Sequence, residues 1–124
     1  MNTDRLFFIT GASSGIGLAL AMACLQRGGR VAVVARRVEP MAQALAAWPQ
    51  ARWRVWSADV CDAAAMQAVA QSCIDEMGLP DTVVANAGIS LGVDLADAED
   101  MTVFAQVMET NVQGLVHTFQ PFIA

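Results

Sequence analysis

The chain has 124 residues, of which 56% are hydrophobic and only 15% charged, with a formal net charge of −5. This length suits one domain that buries roughly 65–70% of its unfolded surface; the apolar composition excludes a disordered tail, and the negative charge excludes a phosphate-tracking nucleic-acid surface. The longest apolar run, residues 16–25, falls well short of the ~20 residues of a membrane span, and residues 1–5 include Asp4 and carry no net positive charge, which argues against a signal peptide.

Residues 5–10 predict a first strand, then a glycine-rich turn and a helix over 15–27 that Gly28 and Gly29 end. Residues 30–35 predict a second strand, apolar on both faces. Pro40 suits the first turn of a helix running to Ala47, which Pro49 closes. The alternation over 52–56 predicts a third strand, with Arg52 and Arg54 as the charged guards of a sheet edge. Asp62 predicts the N-cap of a helix ending near Met77 and Gly78. Residues 82–85 predict a fourth strand, 86–97 a looser segment, and a last helix runs from about Glu99. Strands alternating with helices imply βαβ units and a parallel sheet covered on both faces. The last helix finishes on Phe119, Phe122 and Ile123 with no cap, and residues 83–85 look apolar on both faces. Both features predict self-association through the fourth-strand edge and the last helix.

The turn after the first strand reads Thr10-Gly11-Ala12-Ser13-Ser14-Gly15-Ile16-Gly17 and opens a helix. Gly11 permits a tight strand-to-helix turn, Gly15 removes a side chain where a diphosphate would approach, and Gly17 lets the helix pack closely on the sheet. The unpaired N–H groups and dipole of the helix start then face the anion. A glycine-rich turn with no ligand is the alternative.

The G-x-x-x-G-x-G spacing resembles the fingerprint of the short-chain dehydrogenase/reductases. Ala58-Asp59-Val60 after the third strand, Asn86-Ala87-Gly88 after the fourth and Asn111 in the last helix resemble further family motifs in order, although Ala85 stands where a leading Asn is common. The resemblance covers the whole chain. It implies a Rossmann-like, doubly wound parallel sheet, here incomplete, with about four strands in the order 3-2-1-4 and four helices. It also implies a nicotinamide cofactor held by Gly11, Ser13, Ser14, Gly15, Ile16, Gly17, Asp59, Val60, Asn86, Ala87 and Gly88, with Asp59 at the adenine. About 20 residues past the glycines, an acid suits the ribose 2′-hydroxyl of NAD and a cation suits a 2′-phosphate. Here Arg36 and Arg37 follow the second strand, with no carboxylate before Glu39. A guanidinium forks onto phosphate oxygens, so NADP(H) is expected over NAD(H), with Arg36 gripping the 2′-phosphate and Arg37 and Ser13 assisting. A merely solvated pair of arginines is the alternative.

The family's hydride transfer between nicotinamide and a carbonyl or alcohol carbon relies on a Ser, a Tyr-x-x-x-Lys pair and a helix Asn. Only the Asn is present, as Asn111. The chain has no Tyr, its seven cations are all Arg, and no Ser follows Ser90. Residues 1–124 are therefore expected to form an NADP(H)-binding domain, the N-terminal half of such an enzyme without its catalytic half. Such a truncated chain would bind cofactor without turnover and meet a carbonyl or alcohol substrate only with the missing half supplied. A non-catalytic NADP(H)-binding module and an assembly partner are the alternatives.

No metal site is expected. Asp94, Asp97, Glu99 and Asp100 suit a helix start, and His117 has no partner at helical spacing. Cys24, Cys61 and Cys73 are an odd set without C-x-x-C, fitting buried thiols in a reducing, cytoplasmic setting.

Overall fold

The computed structural model describes residues 4–11, 15–87 and 96–123. Four parallel strands, β1 (Leu6–Thr10), β2 (Arg30–Ala35), β3 (Trp53–Ser57) and β4 (Thr82–Val84), lie in the order β3-β2-β1-β4. This is a Rossmann-like arrangement, with the reversal of strand order falling between β1 and β4. Five α-helical stretches accompany them: α1 (Gly15–Gln26), α2 (Val38–Leu45), α3 (Ala63–Met77), α4 (Asp100–Met108) and α5 (Gly114–Phe119). The π-turn Glu109–Gln113 joins α4 to α5, so the single last helix expected from sequence runs on with a bulge, and a 3₁₀ turn, Gln120–Phe122, finishes it.

The alternation of β1 side chains divides the core. Ile9 joins Val31, Val33 and Ala35 of β2 under α1 and α2, against Ala21, Leu25, Met41 and Leu45. Leu6 and Phe8 join Ala32 and Val34 on the opposite face under α3, against Met66, Val69 and Cys73. Phe122 brings the end of the chain onto this second face, its ring 4.7 Å from that of Phe8 at an edge-on angle of 64°. β2 is buried over Val31–Ala35 because helices cover both of its faces.

Local chemistry sets the element ends. The Asp62 carboxylate accepts the Ala65 N–H at 3.0 Å, capping α3 as its sequence position requires. α2 begins at Val38, two residues before Pro40, because proline is tolerated anywhere in a first turn whose N–H groups have no intrahelical partner. At the β3 edge, Arg52 donates to the carbonyls of Gly28 and Gly29, and Arg54 pairs with Glu76 at 3.8 Å. These two arginines fasten the edge strand to the preceding turn and to α3 as well as charging it. Trp53 is buried and donates to the Trp48 carbonyl at 3.0 Å, so the tryptophans pack the β3 side of the core.

Candidate functional site

The register brings four strand ends into one row. Thr10 pairs with Val34, Ala35 with Ser57, and Ile9 with Val84. The segments that leave the strands therefore emerge together: Gly11, Arg36-Arg37, Ala58-Asp59-Val60 and Asn86-Ala87. In open α/β sheets this carboxyl edge, at the point where strand order reverses, is where ligands bind.

The β1–β4 side of this edge is locked. Thr10 is fully buried, and its hydroxyl oxygen accepts the Asn86 N–H at 3.1 Å and the Ala87 N–H at 3.2 Å. The Asn86 side-chain amide donates back to the Gly11 carbonyl at 3.0 Å, and the Gly11 N–H donates to Val34 at 3.0 Å. Gly11 has φ +67°, and a Cβ there would lie 2.7 Å from the Ala87 Cα. Glycine is required twice over, for the left-handed backbone and for the approach of the two strand ends. Thr10 was not singled out from the sequence; a buried hydroxyl facing two loop N–H groups depends on β4 lying beside β1.

Gly15 opens α1 with φ +63°, yet no heavy atom outside its chain neighbours lies within 4 Å of its would-be Cβ among the described residues. Among the described residues, a side chain at Gly15 would meet open space. Beside it Ile16 is 80% exposed, an apolar side chain turned away from the core, whereas Gly17 is buried beneath the helix. Ser13, Ser14 and Gly88 lie outside the described residues.

The β2–β3 side is held by charges. The Arg36 guanidinium stands 3.6 Å from the Asp59 carboxylate, with Arg36 mostly and Asp59 about half in solvent, and the Ser57 hydroxyl donates to the Arg36 carbonyl at 3.0 Å. The Cys61 N–H donates to the Asp59 carboxylate at 2.9 Å. That bond, aided by Arg36 and opposed by desolvation, holds the Asp59 carboxyl below its ordinary range. Arg37 is exposed at the N-cap position of α2 and its side chain makes no cap hydrogen bond there. Asp59 and two arginines thus present one acceptor and two cations beside the helix start.

The last helix closes the back of the site. Asn111 sits at the centre of the π-turn, and such bulges recur at functional sites. The Cys61 thiol, its pKa pushed up chiefly by burial, lies 3.3 Å from the Thr110 hydroxyl, and His117 Nδ1 lies 2.7 Å from the Val60 carbonyl oxygen. His117 therefore has a partner, 57 residues away in sequence, which no helical spacing could show.

The short chain dehydrogenase family model matches residues 5–124. The chain belongs to this family. It is 32% identical over 123 residues to an NADPH-dependent pterin aldehyde reductase of Arabidopsis thaliana, covering 96% of the chain and 50% of that protein. It is 39% identical over 101 residues to a D-threitol dehydrogenase of Mycolicibacterium smegmatis, covering 79% of the chain and 37% of the relative. A crystal structure of a short-chain dehydrogenase from Streptomyces avermitilis superposes with a TM-score of 0.86 at 30% identity, covering 98% of the chain and 44% of that structure. The chain spans half or less of the length of these relatives. Their family is one of nicotinamide-dependent oxidoreductases. Among the described residues, no helix is long and apolar enough to cross a membrane.

Proposed function

We propose that residues 1–124 form the NADP(H)-binding domain of a short-chain dehydrogenase-type oxidoreductase, the N-terminal half of that fold, and bind cofactor without turning it over alone. One observation carries this reading: the helix start at Gly15, the Arg36 guanidinium and the Asp59 carboxylate share one sheet edge. The diphosphate fits the N–H groups at the start of α1, with Gly11, Ser13, Ser14, Gly15, Ile16 and Gly17 forming its cradle. Asp59 and Val60 take the adenine, Arg36 and Arg37 the 2′-phosphate, and Asn86, Ala87 and Gly88 line the nicotinamide half. When bound, the nicotinamide would give a hydride to a carbonyl carbon in its reduced form or take one from an alcohol carbon in its oxidised form. Asn111 is the one member of the family's proton-relay set in these residues; with no Tyr and no Lys, the chain lacks the pair that passes the substrate proton in that family. A small carbonyl or alcohol compound is the substrate class once that chemistry is supplied.

The preference for NADP(H) rests on Arg36 and Arg37 and accords with the NADPH dependence in the name of the pterin aldehyde reductase. Calorimetric titration should show NADPH binding more tightly than NADH, with Arg36→Ala weakening NADPH selectively. Equal loss for both nucleotides would overturn the assignment. Mixing NADPH with simple aldehydes should give no oxidation by the chain alone. The three free thiols suit a reducing, cytoplasmic setting. Self-association through the last helix is supported by Phe104, Met108, Val112 and Leu115, exposed at helical spacing; sedimentation as a monomer at high concentration would remove it.

A further inference from the structure

We infer that His117 is a positioning residue: it clamps the Asp59–Cys61 turn onto the helix that carries Asn111, and so sets the adenine end of the site against the π-turn. The inference rests on the NADP(H)-binding reading for what the turn does, but the clamp itself is a matter of geometry.

Three contacts join the turn to one stretch of helix. His117 Nδ1 meets the Val60 carbonyl oxygen at 2.7 Å. A carbonyl can only accept, so in this contact Nδ1 carries a proton and donates it. The Cys61 thiol and the Thr110 hydroxyl lie 3.3 Å apart. Between them Gly114 is buried, and a Cβ there would stand 2.6 Å from Val60 Cγ2. The helix thus approaches Val60 as closely as a bare backbone allows.

These contacts fall within the π-turn and just after it. Thr110 lies within it, Gly114 starts α5 just after it, and His117 follows one turn later. The Thr118 hydroxyl donates to the Gly114 carbonyl at 2.8 Å, so a backbone acceptor at the bulge is satisfied from the same face of α5. On the other side, Asp59 is ordered through the turn's own bonds. Its carboxylate accepts the Cys61 N–H at 2.9 Å, and its carbonyl accepts the Asp62 N–H at 2.9 Å. If Val60 shifts, both bonds shift, and with them the carboxylate that faces Arg36. His117 touches neither Asp59 nor Arg36 in any of these contacts; it acts through Val60.

The test compares His117→Leu, which keeps the bulk and removes the donor, with His117→Asn, whose side-chain amide can offer an N–H near the Nδ1 position. Amide exchange is followed at Cys61 and Asp62, with Val33 in the buried strand β2 as the control. Binding is read with adenosine 2′,5′-bisphosphate, which reports the adenine end alone. His117→Leu should speed exchange at Cys61 and Asp62 but not at Val33, and weaken the bisphosphate about fivefold, the loss of one hydrogen bond. His117→Asn should restore exchange and bring affinity within about twofold of the parent chain. Unchanged exchange at Cys61 in the Leu variant overturns the clamp. A loosened turn with undiminished binding overturns the positioning role, and so does an Asn variant as impaired as Leu. A parent chain that takes up no bisphosphate and no NADPH refutes the binding reading instead, and the clamp is then decided by the exchange data alone.

Discussion

The two sides of the carboxyl edge are built from different materials. On the β1–β4 side, Thr10, Gly11, Asn86 and Ala87 are joined by three hydrogen bonds around a fully buried hydroxyl and a glycine with no room for a methyl group. On the β2–β3 side, Arg36 and Asp59 meet at 3.6 Å with Arg36 mostly and Asp59 about half in water. The first arrangement is backbone geometry in a dry environment, where each unmade bond is costly. The second is an exposed ion pair, worth little to the fold, and on the proposed reading Arg36 exchanges Asp59 for an incoming phosphate. On the proposed reading, stability belongs to one side and ligand choice to the other.

That contrast can be broken from its strong side first. Gly11→Ala should be the most damaging change, because a left-handed alanine and a clash with the Ala87 backbone add up to about 3–5 kcal/mol; urea unfolding would show it, and a loss below 1 kcal/mol would mean that the strand ends can part. Thr10→Val keeps the shape and leaves the Asn86 and Ala87 N–H groups without their acceptor, for a loss of about 2–4 kcal/mol in the same assay. Gly15→Ala sharpens the comparison, since it shares the positive φ of Gly11 but its methyl enters open space. It should cost only about 1 kcal/mol of stability, yet reduce NADPH binding at least tenfold in a calorimetric titration.

The charged side should answer in the opposite sense. Arg36→Ala should change stability by less than about 1 kcal/mol while lowering NADPH affinity by about one order of magnitude and leaving NADH nearly unchanged, and added salt should narrow the gap between the two nucleotides. The smallest effect is on the acid limb. The Asp59 carboxyl is held low chiefly by the Cys61 N–H, so the fold favours its ionised form. Its contribution is therefore present above the ordinary carboxylate range and lost as pH falls through and below that range. Asp59→Asn should make the acid decline of stability slightly shallower than in the parent chain, measured by thermal melts between pH 6 and about pH 3, across the ordinary carboxylate range.

Most of the fold and much of the site were legible in the residues. Short apolar or alternating strand runs, glycines after helices and Asp62 before α3 are local signals, so the elements and their ends fell within two or three residues of their expected places. The glycine spacing and Asn86-Ala87 are likewise short-range patterns, and the register brings both to one edge with Arg36 and Asp59. Thr10, Thr110 and His117 were not legible as partners because each acts on backbone or a thiol between 49 and 77 residues away in the chain. A threonine at the end of a strand is unremarkable until β4 is laid next to it. His117 on a helix carries no signal until Gly114 lets that helix touch Val60. Nothing in the run from Glu109 to Gln113 marks a π-turn by propensity alone; only the resemblance at Asn111 implied a kink there.

The sequence by itself determined the alternation of strand and helix, the cradle of glycines and the two cations after β2, because each depends on backbone freedom or charge over a few neighbouring residues. Only the tertiary structure decided that Gly11 must be glycine for the sake of Ala87, that Arg36 meets Asp59, and that His117 holds the Val60 turn. Those facts arise from strand order and helix packing, which close contacts across dozens of residues and place a donor against an acceptor that no local pattern can foresee.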